Sequence, residues 1–122
     1  MKFFIVPLLV LAVCGFASAQ KARGYIPIQW DAHNQTLVDA LNFGIHGGVS
    51  QAVFKRQIPD ADWGYTDVKS VEVQEIKVGT FFDFTVDLED DSGHTVGLNV
   101  VVFALTPDYS DMTLADSSII HM

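Results

Sequence analysis

Apolar and polar positions along this chain change period several times, and each change marks an element. Phe82, Phe84, Val86 and Leu88 alternate with Phe81, Asp83, Thr85 and Asp87. A period of two is that of a strand with one buried and one wetter face. Val71-Glu72-Val73 alternates in the same way upstream, and the apolar phase shifts at Glu75-Ile76-Lys77-Val78-Gly79. Downstream, Leu98 to Leu105 is apolar on both faces, as in the interior of a sheet. Asp90-Asp91-Ser92-Gly93 between the last two runs is turn-forming by composition. The pattern predicts an antiparallel meander from Val68 to Leu105, with its first reversal at Glu75–Gly79.

A different period precedes it. Leu37, Leu41, Ile45, Val49 and Val53 recur every four residues with Val38 beside them, the stripe of a core-facing helix. Asp31 and Asn34 are candidate N-caps. Gly44, Gly47 and Gly48 each weaken a helix by about 1 kcal/mol relative to Ala. Either the helix stops near Ile45, or the glycines lie where a curved sheet comes close; one helix ending near Arg56 is the expectation. Gly24 to Trp30 is a short extended run, and Pro27 in it suits an edge strand. Ile58 to Gly64 is a loop by composition, Thr106 to Asp111 another reversal, and Met112 to Ile120 the last strand. The expected class is α+β: strand, helix, then four strands, with the helix across one face of an antiparallel sheet of about five strands.

The amino terminus does not belong to that plan. Lys2, the apolar run Phe3 to Val13 and the small residues Ala17-Ser18-Ala19 form the pattern of a secretory signal peptide, residues 1–19, cut before Gln20. This predicts a secreted, extracellular protein with one domain over residues 20–122 and no membrane attachment after cleavage. Cys14, the one cysteine, lies within the signal. The mature chain would hold no thiol, which excludes a cysteine nucleophile, cysteine-bound metal and disulfides, and leaves stability to an apolar core. Fifteen acidic residues against seven basic ones give a net charge of −8, which argues against nucleic acid or an anionic membrane as partner.

Catalytic patterns are missing. His33, His46, His94 and His121 share no metal-like spacing, and there is no GxSxG elbow. The expectation is a non-enzyme without cofactor or metal. Asp87, Glu89, Asp90 and Asp91 lack calcium-loop spacing and read as a solvated, self-repelling hairpin tip. Asn34-Gln35-Thr36 is a glycosylation sequon whose asparagine could instead serve only as a cap. Ile76 and Val78 are apolar where a reversal ordinarily takes polar residues, which suggests a contact surface. The alternative is that both belong to strands and that the turn is Val78-Gly79-Thr80. Gly79 would serve a positive φ or the close approach of another backbone.

Three stretches, in order, resemble the cystatin family of reversible inhibitors of papain-like cysteine proteases. Gly24-Tyr25-Ile26-Pro27-Ile28 resembles the Gly-x-x-Pro-Ile opening of plant-type cystatins. Ala40-Leu41-Asn42-Phe43-Gly44-Ile45 is similar to the family's helix pattern, Ala-Leu-x-Phe-Ala-Val. Val78-Gly79-Thr80-Phe81-Phe82-Asp83-Phe84 is similar to the end of its first binding loop and the strand after it, Ala-Gly-Thr-Asn-Tyr-x-Phe. The resemblance covers nearly all of residues 20–122 and implies a cystatin-like fold, thiol-free as in stefins and plant members. It also implies a monomer, with a strand-swapped dimer through the first loop as the other state open to such domains. The implied function is occlusion of a protease cleft by the amino-terminal segment and two hairpin loops. The contact residues would be Gly24; Glu75, Ile76, Lys77, Val78 and Gly79; and Pro107 and Asp108.

The departures bear on function. The family's first loop is Gln-x-Val-x-Gly, and ending it at Gly79 puts Glu75 in place of Gln and Lys77 in place of Val. Its second loop carries Pro-Trp, whereas Asp108 follows Pro107 here. A charge carried into a desolvated contact costs several kcal/mol unless paired, so these residues predict weakened inhibition of typical papain-like enzymes. The alternative function is a cystatin-fold binding protein that does not inhibit proteases.

Overall fold

The structure, a computed structural model, describes residues 24–106, 109 and 111–121. The expected signal peptide, residues 20–23, Pro107 and Asp108 lie outside the described residues. The elements are β1 (Ile26–Ile28), α1 (Gln35–Phe54), β2 (Gly64–Ile76), β3 (Gly79–Glu89), β4 (Thr95–Leu105) and β5 (Met112–His121). The strands form one antiparallel sheet in the order β1-β2-β3-β4-β5. The expected α+β arrangement of one helix and five strands is present.

Alternation in β3 sorts its side chains as expected. Phe84, Val86 and Leu88 are wholly buried, with Phe82 nearly so, and they meet Leu98, Val100, Val102 and Ala104 of β4 and Leu37, Leu41 and Ile45 of α1 in one core. The same strand turns Phe81, Asp83, Thr85 and Asp87 to the other side of the sheet. There Asn99 of β4 donates from Nδ2 to Asp83 Oδ1 at 2.6 Å, to the Phe84 carbonyl at 3.0 Å and to Thr85 Oγ1 at 3.2 Å. These bonds satisfy polar groups in the most buried part of that face.

The helix is continuous through its glycines. Asn34 is the N-cap, its Oδ1 accepting from Leu37 N at 3.2 Å. Asp31 instead shapes the turn before it, accepting from His33 N at 2.9 Å. A Cβ on Gly44 would stand 2.7 Å from Val100 Cγ2, and one on Gly48 2.8 Å from Val100 Cγ1. The glycines are therefore where sheet and helix meet most closely. The helix ends at Phe54, slightly before the expected Arg56, whose φ of 60° lies in the left-handed region.

Two expectations need correction. Strand β2 begins at Gly64, well before Val68; register shifts between Tyr65 and Asp67 and between Val68 and Ser70 break its alternation and hid it. The β3–β4 turn is also not uniformly solvated. Asp90 is buried, and its carboxylate accepts from Ser92 N at 2.9 Å and His94 N at 2.8 Å, with His94 Nδ1 3.0 Å away. The turn is organised around that carboxylate, with Gly93 supplying a φ of 88°.

Candidate functional site

At the end of the sheet opposite Asp90, three segments come together. The first is the β2–β3 hairpin. Ile76 pairs with Gly79, leaving Lys77 and Val78 as the whole connection. The reversal lies within the expected Glu75–Gly79, and the alternative turn at Val78-Gly79-Thr80 does not form, since Gly79 and Thr80 belong to β3. The phase shift seen in the sequence is real: Ile76 ends β2 on the face opposite Val71 and Val73. Ile76 and Val78 are 43% and 56% exposed, so neither is a core residue.

The second segment follows β4. Thr106 N donates to the Val78 carbonyl at 3.1 Å, fastening the β4–β5 loop to the hairpin apex. Leu105 N donates to the Asp111 carbonyl and Tyr109 N to the Leu105 carbonyl, both at 3.0 Å, closing the loop on itself. Tyr109 has a φ of 58°, and its ring packs edge-on to Phe82 with centroids 6.3 Å apart. Pro107 and Asp108 fall between these anchored residues.

The third segment is the start of β1. Ile26 pairs with Val73, and the chain before it runs toward Gln74 and the hairpin. Gly24 lies against the Gln74 side chain so closely that a Cβ would overlap the amide. Tyr25 next to it is half-buried, and burial, followed by the fields of Asp83, Glu72 and Asp116, pushes its hydroxyl well above the usual phenol range. It remains neutral at any physiological pH.

Gly79 is needed for close approach. The Ala104 carbonyl and the Phe103 ring each come within 2.5 Å of where its Cβ would stand. Phe81 and Phe103 pack against each other behind the apex, centroids 4.7 Å apart. The result is an edge, firm underneath, on which Ile76, Val78 and Leu105 are exposed, while Ile26, paired with Val73, is exposed on the other face of the sheet. Glu75 and Lys77 are exposed on it too, and no ion pair joins them.

The structure brings Gly24 beside Gln74 and the hairpin of Glu75, Ile76, Lys77, Val78 and Gly79. Ile26, Leu105, Thr106 and Tyr109 also lie at this end of the sheet, and nothing in the sequence singles them out. Leu105 and Ile26 were legible only as strand residues, and the Thr106 bond is made by backbone, which carries no side-chain signal. Asn34 is exposed, and its cap uses Oδ1. A glycan attaches at Nδ2, so cap and sequon are compatible. Among the described residues, no group of His, Cys, Asp or Glu could hold a metal ion, and no helix is long and apolar enough to cross a membrane. A shallow groove between α1 and β4–β5, lined by Gly48, Ala52, Leu98 and Ile119, lies away from this edge.

No protein-family model matches the chain, and no curated protein matches it.

Proposed function

We propose that this chain is a secreted, cystatin-type reversible inhibitor of papain-like cysteine proteases, with a cystatin-like fold. The observation that carries the proposal is the convergence of Gly24, the Lys77-Val78 turn and Thr106 on one exposed apolar edge, linked by the Thr106–Val78 hydrogen bond. An edge of this kind can enter a cleft and exclude water from it. Burial of its apolar side chains is worth roughly 25 cal/mol per Å² before the costs of association. The resemblance to cystatins implies that it presents no peptide bond held for attack and so blocks rather than serves as substrate. The motif resemblances at Gly24–Ile28, Ala40–Ile45 and Val78–Phe84 support the same assignment, and the amino-terminal pattern supports secretion. Titration of the mature chain against papain and a cathepsin-L-like enzyme tests it. Stoichiometric, reversible inhibition is expected, and no inhibition at micromolar protein refutes it.

A second function is favoured by a specific observation, the exposed and mutually unpaired Glu75 and Lys77 on the contact edge. In that case the protein is a binding protein of the same fold that does not inhibit proteases. The triple substitution Glu75→Gln, Lys77→Val, Asp108→Trp separates the two. Papain binding gained only by the triple variant supports the binding protein.

A further inference from the structure

We infer that Lys77 selects among targets, and that the cleft this edge enters carries a carboxylate where the hairpin apex reaches deepest. The inference rests on the inhibitor function proposed above and names the chemistry of its partner. Lys77 is half of a two-residue connection and is exposed, so it stands at the apex beside the residues a contact would bury. Val78 and Ile76, on either side, are the apolar residues such a contact would cover. Carrying an ammonium into that environment without a partner is strongly unfavourable. Among the described residues Lys77 has no ion-pair partner, Glu75 included. A carboxylate on the target would supply the compensating charge.

The placement of two other cations sharpens this. Lys69 is already held between Asp67 and Asp87 at 3.4 and 3.5 Å. Lys55 caps the far end of α1 and lines the groove beside Leu98 and Ile119, toward the opposite end of the sheet. In a chain with a net charge of −8, an acidic cleft would be repelled by most of the surface. A cation at the apex then both orients the approach and discriminates between clefts, because like charges elsewhere suppress poorly aligned encounters. A target with a neutral or basic cleft floor gains nothing to offset the desolvated ammonium.

The test uses the mature chain and its Lys77→Gln, Lys77→Glu and Lys55→Gln variants. Each is titrated against papain and a panel of papain-like proteases chosen to differ in acidic residues on the cleft floor, at low and high salt. Circular dichroism and thermal melts confirm that the variants are folded. The expected result is inhibition strongest against acid-lined enzymes. Lys77→Gln should weaken it there by about ten- to a hundredfold and Lys77→Glu by more, while Lys55→Gln, with the same change in net charge, has little effect. Added salt should weaken the parent more than Lys77→Gln. If the parent inhibits but Lys77→Gln matches or exceeds it on every enzyme, the selectivity inference is overturned and the inhibitor function stands. If no variant inhibits any member of the panel, the inhibitor function itself fails and takes the inference with it.

Discussion

The Ala104 carbonyl oxygen lies 2.5 Å from the position a Cβ on Gly79 would occupy. A real Cβ does not approach backbone that closely, so Gly79→Ala has to displace β4 or the hairpin. The expected cost is about 1–3 kcal/mol by chemical denaturation, as for other insertions into packed sites. Because Leu105 and Thr106 follow Ala104 directly, the same substitution should also weaken the proposed protease inhibition.

The helix glycines give a prediction that intrinsic propensity alone gets wrong. Replacing Gly44 by Ala gains about 1 kcal/mol of helix propensity. The new methyl, however, would stand 2.7 and 2.9 Å from Val100 Cγ2 and Val102 Cγ2. Gly44→Ala is expected to lower the melting temperature. Gly64→Ala, where nothing lies within 4 Å of the added carbon, should change stability by no more than about 0.5 kcal/mol.

Binding and folding should separate at the hairpin apex. Ile76→Ser and Val78→Ser remove exposed apolar surface and touch no core residue, so unfolding free energies should shift by less than about 0.5 kcal/mol. Each should weaken inhibition of a susceptible papain-like protease by about tenfold, close to 1.4 kcal/mol. A stability loss equal to the binding loss would mean that the apex contributes to folding. Phe84→Ala supplies the contrast: its ring is wholly buried, and the loss should be about 3–5 kcal/mol.

The β3–β4 turn should respond to acid. Burial alone would raise the Asp90 carboxyl, but hydrogen bonds from the His94 ring, His94 N and Ser92 N together with the His94 charge outweigh it and hold it below its usual 3.8. A carboxyl depressed in the folded state contributes stability that is fully present above its unfolded value and is lost as pH falls through the folded one. The melting-temperature difference between the parent and Asp90→Asn should therefore be largest near neutrality and shrink below about pH 4. Melts across pH 2.5–7 check this.

Legibility in the sequence followed periodicity. Phe82 to Leu88 and Leu37 to Val53 each repeat with the period of their element, and both were readable because a single buried face controls the pattern. The start of β2 at Gly64 was not, since two register shifts scramble the alternation of Tyr65 to Ser70. Lys77 and Val78 were legible as belonging to a reversal, but which two residues form it depends on pairing between Ile76 and Gly79, a nonlocal fact. Asp90 looked like one of four similar acids. Only the backbone around it, turning Ser92 N and His94 N inward, makes it different. Within the contact edge, Gly79 was singled out correctly as special, while the choice between torsion and close approach required a neighbouring strand.

The two-residue connection at Lys77-Val78 has a kinetic corollary. A loop this short, pinned to Thr106 and backed by the Phe81–Phe103 pair, leaves the apex almost no slack. Its ordering entropy is spent when the sheet forms, so little further order has to be imposed when a target arrives. Changes at the apex should consequently act on how long a complex lasts much more than on how fast it forms. The charge at Lys77 is the exception, since a charge acts on a partner before contact.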